Sequence, residues 1–168
     1  MINDALIIES LPLVYQRLAK GGVFLTVKNG ADVNTMTIGW GGITIFWGKP
    51  VFIVPVRESR YTFNIINSAK EFTVSVPVNV NLAKELAYCG TRSGRDGNKF
   101  TATGLTLTPG HIIDTPVITQ CELHFECKIV YHQTMDPEYL DSQIKDRFYP
   151  DYHTMYYGEI VACYRTDR

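Results

Sequence analysis

Apolar and polar residues alternate with a period of two over several short stretches, which is the pattern of half-buried β-strands. The longest stretch covers residues 121–131, in which every second position from Cys121 to Tyr131 is apolar or cysteine. Most of the positions between them are charged or polar, and they include His124 and Glu126. This pattern predicts a strand with one buried and one wetter face, and it makes His124 a structural residue of the wetter face.

Other stretches are predicted as strands because they are rich in β-branched and aromatic residues. They are residues 23–28, a strand from Val33 toward Ile45 that bends at its glycines, residues 51–56, residues 71–77 and residues 154–165. The number of predicted strands and the turn residues between them indicate mostly antiparallel pairing in one mainly β domain, a barrel with short helical inserts.

Two short helices are predicted from their capping residues. Ser59 is placed to cap a helix over residues 60–69. Asn81 is placed to cap a second helix that runs through Cys89, with Gly90 as the glycine that follows its end. Residues 1–20 fit either a short helix or an arm that lies on another subunit. Residues 91–100 and 101–120 are predicted as loops with short extended pieces, and residues 136–149 as a polar, aromatic excursion with helical character.

Composition limits the classes of partner. The chain has 168 residues, 45% hydrophobic and 20% charged, with a net charge of −1. These values are typical of a folded globular protein, and they predict no general attraction to nucleic acid or to membranes. The N-terminal residues lack the basic segment of a signal peptide, and no apolar stretch is long enough to span a bilayer, so a cytoplasmic location is expected.

The four cysteines have no metal-ligand spacing and form no C-x-x-C pair. Cys121 and Cys127 share a strand face but lie roughly 20 Å apart along an extended chain, whereas a disulfide needs Cα atoms within about 7 Å. Buried, reduced thiols are therefore expected, and no metal site is predicted.

Residues 34–62 carry the candidate chemistry. The first part is small, polar and glycine-rich around Trp40, which lets backbone approach a flat ligand closely. Arg57 and Arg60 then form a cationic corner at a predicted helix start, where a phosphate would be favoured. A flat ring beside a phosphate describes a mononucleotide cofactor. The two arginines also fit solvated charges near Glu58, and Trp40 and Trp47 also fit a core or a dimer interface.

The loop of residues 91–100 contains two arginines, one lysine and two glycines. Such a composition is typical of a backbone cradle for an anion, although a flexible surface turn has it as well. Among the histidines, His153 is a candidate for a functional role because a neutral imidazole can donate to a carbonyl oxygen. His111 and His132 have no partner pattern.

Five motifs in order resemble one family. They are Asn34-Thr35-Met36-Thr37 with Trp40-Gly41-Gly42, Ser59-Arg60-Tyr61-Thr62, Phe72-Thr73-Val74, Ser93-Gly94-Arg95-Asp96 with Lys99-Phe100, and the run from His153 to Glu159. Together they resemble the flavin reductase-like, FMN-binding split-barrel proteins, which include the flavoredoxins. The resemblance implies a Greek-key split β-barrel, a homodimer with FMN at the subunit interface, and electron transfer, often with NADH or NADPH as donor.

The resemblance also implies roles for individual residues. It places Asn34, Thr35, Met36, Thr37, Gly39 and Trp40 beside the flavin ring. It assigns the phosphate to Arg57, Ser59, Arg60 and Thr62, with further contacts from Ser93, Gly94, Arg95 and Lys99. It places His153 near the flavin or the nicotinamide. Gly39 departs from the family, in which many members have serine.

Two classes of function follow. The first is an oxidoreductase that takes hydride from NADH or NADPH onto flavin and passes electrons to a small molecule or a redox protein. The second is a non-catalytic FMN-binding electron carrier without a nicotinamide site. A ring covered by residues 136–149 would favour the carrier. The chain has no G-x-G-x-x-G motif, so it would bind any pyridine nucleotide without a Rossmann domain.

Overall fold

A computed structural model describes residues 3–166. Seven strands form one antiparallel sheet in the order β2-β1-β5-β8-β9-β4-β3, and β6 and β7 form a separate pair. The strands are β1 (Val23–Asn29), β2 (Asp32–Ile38), β3 (Gly42–Phe46), β4 (Lys49–Arg57), β5 (Glu71–Val76), β6 (Leu107–Thr108), β7 (Val117–Ile118), β8 (Leu123–Thr134) and β9 (His153–Arg165). The helices are α1 (Asp4–Ala19), α2 (Tyr61–Ile66), α3 (Ala83–Thr91), α4 (Lys99–Thr103) and α5 (Ser142–Phe148), with a 3₁₀ turn at Pro137–Tyr139.

The two edge strands of the sheet, β2 and β3, are consecutive in the chain and are joined by residues 39–41 alone. Four Cα–Cα steps reach at most about 15 Å, whereas the edges of a flat seven-stranded sheet lie about 29 Å apart. The sheet therefore curls on itself, and the barrel is split between its two edges at this link. Gly41 has a φ of 109°, and a Cβ there would lie 2.2 Å from the Ile53 carbonyl oxygen, so the link requires glycine.

The core fills the curled sheet with large side chains from its central strands. Phe52, Phe72, Phe125 and Tyr156 are all fully buried, and the Phe52 and Phe125 rings meet edge to face with centroids 5.5 Å apart. Helix α1 adds Ile7, Val14 and Leu18 to the same cluster. Of the two alternatives for residues 1–20, the described part is therefore a helix packed on its own chain.

The predicted strands are confirmed, with two changes. The strand expected from Val33 toward Ile45 is two strands, because the glycines of the link turn the chain out of β2 before β3 begins. The wetter face expected for residues 121–131 is wrong at His124 and Glu126, which are buried. The chain between β6 and β7 covers that face, and the Glu126 carboxylate accepts hydrogen bonds from three of its backbone N–H groups.

The helix predictions also change in detail. Helix α2 is shorter than the expected 60–69, and Ser59 does not cap it: the N-cap is Arg60, which makes no side-chain capping bond. Helix α3 continues two residues beyond the expected end at Cys89, through Gly90 to Thr91. The excursion at residues 136–149 does contain helical structure, the 3₁₀ turn and α5.

All four cysteine side chains are buried. Within residues 3–166 no helix is long and apolar enough to cross a membrane, and no group of three or more histidine, cysteine, aspartate and glutamate side chains is placed to hold a metal ion.

Candidate functional site

Two adjoining cavities form one cleft at the split of the barrel. The small cavity, of about 240 Å³, lies against the link between β2 and β3, and the large cavity, of about 580 Å³, lies against the start of α2 and residues 91–95. Met36, Arg57 and Arg60 line both cavities. A ligand that fills both would therefore pass these three side chains.

Strand β2 forms one wall because its side chains alternate. Asn34 and Met36 face the large cavity, and the Asn34 side-chain amide donates to the Thr62 hydroxyl at 2.8 Å. Thr35 points the other way, is fully buried and donates its hydroxyl hydrogen to the Leu25 carbonyl at 3.2 Å. Thr37 lines the small cavity and donates to the Leu86 carbonyl of α3 at 2.6 Å.

The small cavity carries aromatic rings and one buried imidazole. The Trp40 ring centroid lies 5.2 Å from that of His153 and 5.7 Å from that of Phe148. His153 Nδ1 is buried and has no hydrogen-bond partner among the described residues. Burial, reinforced by the positive charges of Arg57 and Arg60, lowers the pKa of His153 to about 4. The imidazole is therefore neutral at neutral pH and can offer a hydrogen bond to a ligand in the cavity.

The large cavity is strongly cationic although the whole chain is slightly acidic. Six basic side chains line it and the Asp151 carboxylate is the one acidic side chain among its lining residues; the basic ones are Arg57, Arg60, Arg92, Arg95, Lys99 and Arg147. Such a concentration of positive charge favours an anionic ligand.

Lys99 is the one buried cation of this set. Its Nζ donates to the Thr35 and Cys89 carbonyls, each at 2.9 Å. Burial lowers the pKa of Lys99, and the charge of Arg60 lowers it further. Arg95 lies nearer the surface, where its guanidinium donates to the Ser59 carbonyl at 3.2 Å and stands over the Tyr61 ring.

Arg57 and Ser59 are engaged by the chain itself. The Arg57 guanidinium donates to the Asp151 carboxylate at 2.8 Å and to the Phe148 carbonyl at 2.7 Å. The Ser59 hydroxyl donates to the other Asp151 carboxylate oxygen at 2.5 Å. Burial raises the pKa of Asp151, but the hydrogen bonds from Ser59 and Arg57 outweigh burial, so the pKa lies below its usual range.

The structure brings the predicted site residues together with one exception. Thr35 does not line either cavity and contributes only its carbonyl, to Lys99. The residues that do line the cleft are Asn34, Met36, Thr37, Gly39, Trp40, Arg57, Ser59, Arg60, Thr62, Ser93, Gly94, Arg95, Lys99 and His153.

Sequence reasoning missed several lining residues. Arg92 and Tyr61 lie inside motifs that were already singled out, so their charge and ring were a usable signal. Arg147, Phe148 and Asp151 come from the segment between β8 and β9, and no local pattern links them to Arg57 and Ser59, about ninety residues earlier in the chain.

Comparison with known proteins identifies the family. The model of the flavin reductase-like domain matches residues 15–168. The chain belongs to the flavin reductase-like family. An uncharacterized protein of Archaeoglobus fulgidus is 30% identical over 139 residues, which is 82% of this chain and 68% of that protein.

Solved structures agree on the fold of this flavin reductase-like chain. It is similar to the flavoredoxin of Desulfovibrio vulgaris (Miyazaki F), with a TM-score of 0.69 and 24% identity over 87% of this chain and 69% of that chain. It is also similar to an FMN-binding domain of a flavin reductases-like enzyme from Shewanella baltica, with a TM-score of 0.64 and 19% identity over 92% of this chain and 74% of that chain. The predicted split β-barrel with short helical inserts is confirmed.

Proposed function

We propose that this chain binds FMN in the cleft and is an NADH- or NADPH-dependent flavin reductase. The observation that carries the proposal is the division of the cleft. Beyond the two arginines that the cavities share, the small half is lined by uncharged groups, among them Trp40 and the neutral His153, whereas six basic side chains line the large half. FMN has the same division, with an uncharged ring system at one end and a phosphate at the other. Relatives whose structures are described as flavoredoxin and as an FMN-binding domain support the same cofactor.

The donor set fits the phosphate end of this cofactor. Hydroxyl, guanidinium and ammonium donors surround the large cavity; they belong to Arg57, Ser59, Arg60, Thr62, Ser93, Arg95 and Lys99. The loop that carries Ser93 lies close against β2: a Cβ on Gly94 would be 2.5 Å from both Asn34 Oδ1 and Tyr61 Cδ1. A side chain at position 94 would therefore collide with Asn34 and Tyr61, and glycine allows the loop to come this close.

The ring end would be held by different groups. Backbone N–H and C=O groups of residues 37–40 can serve the polar edge of the ring, and Thr37 adds a side-chain hydroxyl. Trp40 and Phe148, whose rings meet edge to face, form an apolar wall where the two cavities adjoin. The bound flavin supplies a hydride acceptor that can return its electrons to another molecule. The neutral imidazole of His153 can offer a hydrogen bond at the edge of this space without adding charge.

One observation favours the second function class, a carrier without a nicotinamide site. Phe148 at the end of α5 stands at the edge of Trp40, and Arg147 lines the large cavity beside it. The excursion after β8 thus narrows the approach to the small cavity from that side. If this wall excludes a nicotinamide, a redox protein rather than NADH or NADPH would supply the electrons.

Partners and location are part of the proposal. We expect a homodimer in the cytoplasm, with a small molecule or a redox protein as electron acceptor. The hairpin between β3 and β4 exposes Ile45, Phe46 and Trp47, and Tyr131 lies beside Trp47. Exposed apolar side chains in contact with each other support a protein contact surface at this hairpin.

An anaerobic visible spectrum of the FMN-loaded protein, before and after addition of NADH or NADPH, tests the two function classes. Bleaching of the flavin band by one nucleotide would establish the reductase and identify its donor. A band that neither nucleotide bleaches, but that dithionite does, would contradict the reductase and favour the carrier.

Replacement of His153 by alanine is expected to leave FMN bound and to slow its reduction by the nucleotide by about a hundredfold, because a preorganised hydrogen-bond partner is lost. Stopped-flow absorbance measures the rate. His132→Ala serves as the control, since His132 is exposed and lies outside the cleft. Reduction of the His153→Ala variant at the wild-type rate would make His153 a structural residue.

A further inference from the structure

The Asp151 carboxylate occupies donors that the proposed function assigns to a phosphate. One carboxylate oxygen accepts from the Ser59 hydroxyl at 2.5 Å and from the Ser59 backbone N–H at 3.3 Å. The other accepts from the Arg57 guanidinium at 2.8 Å. A hydroxyl, a backbone N–H and a guanidinium are the groups that bind phosphate oxygens, and here a carboxylate of the same chain holds all three.

We propose that Asp151 is a resident anion that competes with the ligand phosphate for Ser59 and Arg57. A phosphate takes these donors only when the Asp151 side chain turns away. The inference rests on the proposed function, because it assumes that the large cavity holds the phosphate of FMN. In this role Asp151 opposes binding of the phosphate and therefore lowers the affinity of the cleft for ligands that carry a phosphate.

The geometry lets the side chain leave without moving the backbone. Arg57 also donates to two main-chain carbonyls of the same segment, those of Asp151 at 2.9 Å and Phe148 at 2.7 Å. Tyr149 and Tyr152 stack on each other with ring centroids 5.7 Å apart, which further orders the segment. The Asp151 side chain itself is 29% exposed, so a rotamer change would carry its carboxylate into water.

The charges around the cleft decide which anion prevails. With Asp151 in place, Arg57 is already paired. The other basic side chains of the cavity form no ion pair within residues 3–166; they are Arg60, Arg92, Arg95, Lys99 and Arg147. A phosphate dianion is attracted by all of them, whereas the carboxylate carries a single charge. FMN is therefore able to displace Asp151. Riboflavin, which has the same ring and no phosphate, gains nothing from the displacement.

The test compares FMN and riboflavin binding to the wild-type chain and to Asp151→Asn by fluorescence titration. Asparagine keeps the size of the side chain and removes its charge, so the donors no longer face a competing anion. We expect the variant to bind FMN about tenfold more tightly, the effect of one charge-assisted hydrogen bond, and to bind riboflavin unchanged. Asp146→Asn is the matched control, because Asp146 is an exposed aspartate of α5 outside the cleft lining and its replacement changes the net charge equally.

Each outcome has a definite meaning. FMN affinity that is unchanged or weaker in Asp151→Asn overturns the competition, as does an equal gain for FMN and riboflavin or an equal gain in Asp146→Asn. Failure of wild type and variant alike to bind either flavin overturns the proposed function itself.

A second measurement needs no variant and covers the case in which Asp151→Asn does not fold. In wild-type protein with ¹³C-labelled aspartate, the Asp151 carboxyl resonance should shift on addition of FMN and stay in place on addition of riboflavin. A resonance that does not respond to FMN at saturation would show that the carboxylate keeps its partners, which contradicts the competition.

Discussion

FMN affinity is expected to fall by about 10- to 100-fold when Arg60 is replaced by alanine, while the fold is retained. The Arg60 side chain is exposed and lines both halves of the cleft. In the proposed complex it contributes a charge-assisted hydrogen bond to the phosphate, worth roughly 1.5–3 kcal/mol, which corresponds to that range of affinity. Its guanidinium donates to the Gly90 carbonyl at 3.0 Å, and this hydrogen bond is exposed and contributes little to stability.

Titration calorimetry measures the effect, with riboflavin as a second ligand and Arg165→Ala as a second variant. Riboflavin has no phosphate, so its affinity should not change in Arg60→Ala. Arg165 is an exposed residue of β9 outside the cleft, and its replacement should leave FMN binding unaltered. Equal FMN affinity in wild type and Arg60→Ala would remove Arg60 from the phosphate site.

Replacement of Glu126 by glutamine is expected to destabilise the fold by about 3 kcal/mol. The Glu126 side chain is fully buried, and its carboxylate accepts from the backbone N–H groups of His111, Ile112 and Ile113 at 2.6, 2.8 and 2.9 Å. Glutamine offers one oxygen and turns an NH₂ group toward these donors, so at least one buried N–H loses its partner. Urea unfolding at neutral pH measures the loss, and Glu9→Gln on the exposed face of α1 is the control.

The pKa of Glu126 predicts how the difference in stability between the wild type and Glu126→Gln depends on pH. Burial raises the pKa of Glu126, but the backbone hydrogen bonds outweigh burial and hold the pKa below its ordinary value of 4.5. A carboxyl group whose pKa is lower in the folded state stabilises the fold above the unfolded-state value, and this contribution is lost as the pH falls through the folded-state value. The wild type should therefore approach the stability of Glu126→Gln as the pH is lowered below 4.5. A constant difference at all pH values would contradict this explanation.

Glu126 also shows what a sequence pattern does not predict, namely the burial of the second face of a strand. Alternation along residues 121–131 correctly predicts a strand, because the period of two is a property of the strand itself. It says nothing about what covers the second face, which here is the chain between β6 and β7. The buried acid and the buried His124 were therefore misplaced on a wet surface. The glycines at residues 39–42 predicted a bend, and the barrel splits there.

The residues of the candidate site were likewise predicted only in part. Short motifs predicted lining residues that are neighbours in the sequence, such as Asn34 and Met36 on β2 and residues 93–95. The role of Ser59 as a helix cap was wrong because α2 begins at Tyr61, which makes Arg60 the N-cap. The Ser59 hydroxyl instead donates to Asp151, ninety-two residues further on. A partner so distant in the chain leaves no trace in the local pattern of either segment. The sequence could therefore place the cleft but not the acid that stands inside it.

The most direct test of the central claim is a titration of the purified chain with FMN, followed by the visible absorbance of the flavin. A flavin enclosed between Trp40 and the cationic half of the cleft should show a shifted band that saturates at one FMN per chain, and excess inorganic phosphate should weaken the binding by competing for the large cavity. A flavin band identical to that of free FMN at every protein concentration would contradict FMN binding, and with it the proposed function.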